Sequence, residues 1–240
     1  MKNRATLFTT LAASLMLTAC ATKDPQSLAQ HDPFEPTNRE IFDFDVQLDH
    51  AVATPVAKFY RSVVPQPARE GIHNALDNLN APVVLVNDVL QGDSTKAGGT
   101  FSRFVINSTV GIAGLIDVAA QIGIPGHEND FGITLGKGGV AEGSYLVLPF
   151  IGPRPPRDLV GNGVDIGFDP LTYITWNNST LYLMIRAGAS VLDSRAASID
   201  QVESIERSSI DFYATTRSLY RQNRNAQIRG EAANQDLPNF

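Results

Sequence analysis

A single cysteine, Cys20, stands in the 240 residues, so no intramolecular disulfide can cross-link this chain. Its fold must come from packing or from its surroundings. The placing of that cysteine is as informative as its solitude. Lys2 and Arg4 precede an almost uncharged run from Ala5 to Thr18, which ends in Leu17-Thr18-Ala19-Cys20. A charged start, a short apolar stretch and small residues before a cleavage point make a signal peptide of residues 1–19. The run falls short of the roughly 20 apolar residues that span a bilayer. Leu17 to Cys20 resembles the bacterial lipobox, in which the thiol receives diacylglycerol and the new amino terminus is acylated, so Cys20 is the expected lipidation site. Two or more acyl chains make a stable anchor, because each buried methylene contributes about 0.8 kcal/mol. Ala21 follows, where Asp would resemble an inner-membrane retention signal, and this favours the outer membrane.

Loss of Lys2 and Arg4 with the signal moves the formal charge from -6 to -8. An acidic chain argues against nucleic acid as a partner and against a polybasic membrane clamp. Residues 20–30 are polar, contain Pro25 and lack periodicity, which predicts a flexible tether. Residues 225–240 are polar and read as a frayed tail. The fold is expected in residues 31–224.

Helical periodicity dominates that span. Ile72, Ala75, Leu76 and Leu79 recur at helical spacing, as do Ala97, Phe101, Phe104 and Val105, and then Ile112, Leu115, Ile116, Ala119 and Ile122. Val202, Ile205, Phe212, Thr216 and Leu219 form one long amphipathic stripe. The spacing predicts a mainly α chain punctuated by prolines. Phe42 to Asp49 alternate apolar and polar, which argues for a strand; wound as a helix, they would carry apolar residues on two sides. The pattern leaves both readings open. Arg103 to Ile124 is apolar but holds Arg103, Asn107, Asp117 and Gln121, which would cost several kcal/mol in a spanning helix. A buried core helix is favoured over a helix pair lying in or beneath one leaflet. From Asp130 to Asp169 recurring glycines and Pro153, Pro155 and Pro156 predict loop and a short hairpin, with little helix.

The sequence offers no set of groups for catalysis. No Gly-x-Ser-x-Gly elbow frames Ser144, and no nucleophile has a base in recognisable register. His31, His50, His73 and His127 make no ligand pair at metal spacing, so no metal or cofactor is expected. His127, Glu128 and Asp130 read as a solvated polar turn. Gly132 to Gly138 fails as a phosphate loop: three residues, not four, separate its first glycines, and Gly138 follows Lys137. Arg217, Arg221, Arg224 and Arg229 occupy a stretch without acids. They read as a solvated helix end that suits the helix dipole, with anionic headgroups as the alternative.

Asp32-Pro33-Phe34-Glu35-Pro36-x-Asn38-Arg39 is a different matter, because with it the chain resembles the MlaA family, also called VacJ. The resemblance continues through Val64-Pro65-Gln66-Pro67-Ala68-Arg69, Asn78-Leu79, Asn87, Leu90-Gln91-Gly92-Asp93, Arg103-Phe104 and Asn107. It resumes at Gly114 to Ala119, Asp130-Phe131-Gly132-x-Thr134-Leu135-Gly136, Tyr145 to Pro149 and Arg157-Asp158. It implies an outer-membrane lipoprotein of the periplasmic leaflet that removes phospholipids from the outer leaflet and maintains lipid asymmetry. The implied fold is a ring of amphipathic helices around a central channel, with a glycine-rich loop or short hairpin. The implied partners are phospholipids, a trimeric porin and a soluble periplasmic lipid carrier. A non-transporting scaffold bridging porin and envelope is the alternative. On this resemblance Phe42 to Asp49 becomes helix, and Phe42, Asp43, Phe44, Phe131, Leu135, Tyr145 and Leu148 become candidates for the channel or the leaflet-facing surface. Asp43 and Asp45 stand where relatives often carry Asn, and would bring negative charge to a phosphate path or to the periplasmic face.

Overall fold

The computed structural model describes residues 21–174 and 179–231. The expected signal peptide, Cys20 and most of the expected tail lie outside the described residues.

The first described segment is docked, not a free tether. Asp24 accepts from the Ser27 amide at 2.9 Å and starts a helical turn, α1 (Pro25–Ala29), while the Thr22 amide donates to the Pro33 carbonyl at 2.6 Å. Composition could not reveal it, because the turn rests on a side-chain cap and local backbone bonds.

Helix α2 (Glu35–Leu48) settles the ambiguous segment as helix, with Phe42 turned into the core and Phe44 turned out. A π-helical turn, Asp49–Ala53, carries α2 directly into α3 (Thr54–Val63). That turn is gripped from outside: Arg195 donates to both Asp49 oxygens at 2.6 and 2.7 Å and to the Thr54 hydroxyl at 2.7 Å. Pro65 ends α3, and α4 (Gln66–Leu90) and α5 (Ser94–Thr109) then pack against each other. Asp93 caps α5 by accepting from the Lys96 amide at 3.0 Å.

The segment after α5 is not a core helix. Ile112 and Ala113 adopt positive φ, the chain turns back, and only a single helical turn forms at α6 (Val118–Gln121). Val110, Ile112, Leu115, Ile116 and Ile122 are all exposed.

The glycine-rich region holds more helix than its composition predicts. Asp130 caps α7 (Phe131–Lys137) through the Ile133 amide at 2.9 Å, and α8 (Pro156–Phe168) starts on a proline in its first turn. Between them lies the expected hairpin, β1 (Val147–Leu148) antiparallel to β2 (Gly152–Pro153). Two of the glycines serve contact and not looping. A Cβ on Gly161 would lie 2.4 Å from the Gly132 nitrogen, so α7 and α8 touch backbone to backbone. The expected continuous stripe from Val202 to Leu219 is two helices, α9 (Ser179–Ser208) and α10 (Phe212–Arg229). Asp211 breaks it by capping α10 through the Ala214 amide at 3.0 Å, and leaves Ile210 fully exposed in the joint.

Candidate functional site

Apolar side chains are distributed unusually for a water-soluble domain. Two small clusters are buried: Phe42, Tyr145, Val147, Tyr213 and Tyr220 where α2, the hairpin and α10 meet, and Ala57, Ala196 and Ile199 between α3 and α9. Many large apolar residues face outward instead. On α3 these include Val56, Phe59 and Val63; on α5, Phe101 and Val105; on α9, Leu181, Met184, Ile185 and Val191. Phe59 is 69% exposed and Met184 67%, which marks a surface that meets something other than water.

The polar groups go inward. A cavity of about 520 Å³ lies behind α4 and α5, lined by His73, Asn74, Asp77 and Asn78 from α4, by Thr100, Arg103, Phe104 and Asn107 from α5, and by Asp117 and residues 126–130. Helix α5 shows the arrangement in one element: Arg103 and Asn107 look into the cavity while Phe101 and Val105 look out. The lining is hydrogen-bonded and held in place. Arg103 donates to Asp117 and to the Ile124 carbonyl, both at 2.6 Å, and Asn107 donates to Asp117 at 2.9 Å while accepting from the Ala119 amide at 3.0 Å. Burial opposes the charge on Asp117, yet bonds from Arg103, the Ala120 amide and Asn107 hold its carboxyl below the usual carboxylate range. Behind the wall, buried Asp88 accepts from Thr100 and Asn129, each at 2.7 Å, and pairs with His127 at 2.8 Å.

Two residues make the cavity's charge distinctive. The His73 Nδ1 lies 2.8 Å from Asp193 of α9, and that bond, opposed by burial and helped by Asp77, pushes the imidazole up to about 9. Asp77 is 70% exposed by side-chain area, yet desolvation pushes its carboxyl up. Both observations fit a group on the inner wall of a wet cavity, reached by water but surrounded by protein. The cavity's carboxylates are largely paired: Asp117 with Arg103 at 2.6 Å, Asp77 with His73 at 3.4 Å and Asp130 with Arg224 at 2.7 Å.

The residues singled out from the sequence fall elsewhere. Phe42 is 8% exposed and Tyr145 is fully buried, so both belong to the core and not to a channel or a leaflet-facing surface. Burial is favoured there because the aromatic rings pack edge-on, Phe42 on Phe212 at 5.2 Å and Tyr145 on Tyr213 at 6.1 Å. Phe131 packs against Phe168, while Leu135 and Leu148 are half-buried; none of the three lines the cavity. Asp43 and Phe44 do face outward, and Phe44 meets Phe150 edge-on at 5.6 Å. Asp45 accepts from the Phe150 amide at 2.8 Å and holds the hairpin tip.

The motif from Asp32 to Arg39 is a fastening. Asn38 donates to Asp32 at 2.8 Å and to the Tyr145 carbonyl at 3.0 Å, and accepts from the Val147 amide at 3.0 Å. Arg217 reaches Asp32 at 2.6 Å and Glu35 at 3.1 Å, while Arg39 grips Asp211 with both terminal nitrogens. Pro33 and Phe34 supply carbonyls that accept from Thr22 and Asn38. Three of the four arginines of α10 are therefore not a solvated end: Arg217 is bound as above, Arg221 pairs with Glu142 at 2.7 Å, and Arg224 binds Asp130 at 2.7 and 2.9 Å and Asp158 at 3.0 Å, while Arg229 alone is exposed in the last turn, beside Glu231. The cavity residues of α4 were missed. Their signal was the run of polar residues at positions 73, 74, 77 and 78, one helical turn apart on a helix with apolar residues between them.

The family model for MlaA lipoprotein matches residues 30–227. The chain belongs to the MlaA lipoprotein family. It is 34% identical over 229 residues to the intermembrane phospholipid transport system lipoprotein MlaA of Escherichia coli K12, covering 93% of this chain and 89% of that one. The protein of the same description from Haemophilus influenzae is 33% identical, covering 91% and 88%. A solved chain described in terms of the structural basis for maintenance of bacterial outer membrane lipid asymmetry superposes with a TM-score of 0.74 at 35% identity. The match covers 82% of this chain and 98% of that chain. No described helix is long and apolar enough to cross a membrane.

Proposed function

We propose that this protein is a passive conduit for phospholipid, seated in the periplasmic leaflet of the outer membrane. It takes phospholipid from the outer leaflet and hands it to a soluble periplasmic carrier. The observation that carries the reading is the inverted polarity: apolar side chains outside, and a polar cavity of about 520 Å³ within. A phospholipid demands that inversion of its carrier, since the headgroup needs polar partners while the acyl chains need hydrocarbon. The exposed residues of α3, α5, α9 and the turn after α5 would lie against lipid tails, and residues 31–224 would form the embedded body. Lipid on Cys20 would guide the chain to the membrane, and a trimeric porin would hold it in place. Passage needs no energy source in this chain.

The deciding measurement is outer-leaflet phospholipid in a deletion strain complemented with the wild type or with Cys20→Ala. The deletion should raise surface phospholipid and sensitivity to detergent and chelator, and the wild type should restore both. Unchanged surface phospholipid in the deletion would overturn the transport reading in favour of a scaffold.

A further inference from the structure

A second cavity, of about 410 Å³, opens where the end of α3, the first turns of α4 and the middle of α9 meet. It is walled by Tyr60 and Arg61 of α3, by Arg69, Glu70 and His73 of α4, and by Asp193 of α9. Its charged groups are engaged with one exception. His73 bonds Asp193 at 2.8 Å, Arg61 pairs with Asp200 at 3.0 Å, and Glu70 accepts from Gln66 at 2.7 Å. Arg69 spends only its Nε, which donates to the Val64 carbonyl at 3.2 Å, and makes no ion pair among the described residues. Its two terminal nitrogens are uncommitted.

The Tyr60 hydroxyl repeats the pattern. The ring packs against buried Ala57, Ala196 and Ile199, and its oxygen is buried with no hydrogen-bond partner among the described residues. A hydroxyl left so is costly. Burial and nearby Asp193 push that hydroxyl's pKa up and the charge of Arg69 opposes them, so the phenol and the guanidinium share one electrostatic neighbourhood. Two free terminal donors in a rigid fork and a phenolic O–H suit an oxyanion, and phosphate above all. What borders the cavity narrows the ligand further. Val56 and Val63 stand one helical turn before and after Tyr60 on α3, Phe59 adjoins it, and all three are exposed. A site for an oxyanion beside open apolar surface matches a molecule that carries both parts, and a glycerophospholipid carries its phosphodiester next to its acyl chains.

We propose that Arg69 and Tyr60 hold the phosphate of a glycerophospholipid that stays on the outside of the protein, with its acyl chains along Val56, Phe59 and Val63. The 520 Å³ cavity takes lipid in transit; this site takes a resident lipid and sets the depth at which α3 and α4 sit in the leaflet. The inference rests on the reading that places this surface in a leaflet, and it needs no transport. Both donors address the phosphodiester and neither addresses a headgroup, so ethanolamine and glycerol lipids should bind alike.

The test is photo-crosslinking of the full-length lipoprotein in vesicles of equal phosphatidylethanolamine and phosphatidylglycerol content, doped with either phospholipid carrying a diazirine on an acyl chain. Labelled peptides are mapped by mass spectrometry. Wild type should be labelled around Phe59 and around Phe101 of α5, equally by the two lipids. Arg69→Gln should reduce labelling at Phe59 about threefold to tenfold and leave Phe101 unchanged, and Arg69→Lys should recover most of it. Tyr60→Phe should reduce it about twofold without lowering the thermal midpoint, because the hydroxyl has no protein partner to lose. A diazirine diacylglycerol, with tails and no phosphate, should label Phe59 equally in wild type and Arg69→Gln. Calorimetric titration with inorganic phosphate should show no tight binding. Labelling at Phe59 unchanged in Arg69→Gln, or tight binding of inorganic phosphate, would overturn the resident-lipid site while leaving the conduit intact. If neither Phe59 nor Phe101 is labelled in the wild type, the embedded surface falls, and the conduit with it.

Discussion

Around Tyr145, ionised side chains fasten elements together; around His73, the same residue types line a cavity. On the first side, Asp32, Asn38, Arg217 and Tyr213 join α2, the hairpin and α10 through buried charge-assisted bonds, and Asp158 gathers Arg157, Tyr220 and Arg224. Each carboxylate there meets several donors, so removing one partner leaves others buried and unsatisfied. On the second side, α4 and α5 form a thin wall, apolar outward and polar inward. His73 and Asp77 are reached by water, and Phe101 and Val105 face outward. The contrast teaches how the same residue types divide their work: on the fastened side the charges are buried between elements, and on the wall polar groups line a cavity while apolar ones face outward.

The hardest test of that division is Asp32→Ala. It removes the acceptor shared by Asn38, Tyr213 and Arg217, and denaturant unfolding should show a loss of about 3–5 kcal/mol. A loss below about 1 kcal/mol would break the comparison. Gly161→Ala comes next, since its methyl would drive α8 off Gly132; overpacking of this kind costs about 1–3 kcal/mol and should appear as a lower thermal midpoint. On the wall, Phe101→Ser should leave unfolding in detergent within about 0.5 kcal/mol of wild type and weaken partitioning into vesicles by about 1–2 kcal/mol, for loss of a 55% exposed aromatic surface. The smallest effect concerns pH. His73 is raised by Asp193, so the bond between α4 and α9 contributes fully below about pH 6.5 and is lost as pH rises through about 9. Because His73 is half exposed, screening keeps the change under about 1 kcal/mol. Hydrogen-exchange protection, corrected for the intrinsic rise of exchange with pH, should fall across α9 in that range and stay constant in α10.

The mainly helical class was legible from periodicity, and the family from ordered motifs. What periodicity could not reveal was where charge pairs across long sequence separations. Arg217 and Arg224 look like a cationic strip until the chain brings Asp32 and Asp130 beside them. Phe42 and Tyr145 look like candidates for a lipid path because aromatic residues suit both cores and bilayers, and only packing tells these apart. Gly132 and Gly161 misled in the other direction: glycine signals a loop and a close helix contact with the same letter. The cavity escaped because an amphipathic helix with its polar face enclosed has the same pattern as one with its polar face in water.

The π-helical turn at Asp49–Ala53 has a consequence for how this chain tolerates insertion and deletion. It holds one residue more per turn than an α-helix needs, so it keeps the phase between α2, which buries Phe42, and α3, which buries Ala57. Deleting a single residue there would let the two helices run on as one regular cylinder with α3 close to its present phase, because four α-helical residues turn through about the same angle as the five of the wider π turn. Ala57 would stay against Ala196 and Ile199, and the outward row of Val56, Phe59 and Val63 would keep its direction, so long as the residue lost is not Asp49, which Arg195 grips. A frame-preserving loss of three bases between His50 and Ala53 should therefore be better tolerated than the same loss inside α3, where every later residue would shift by about 100°.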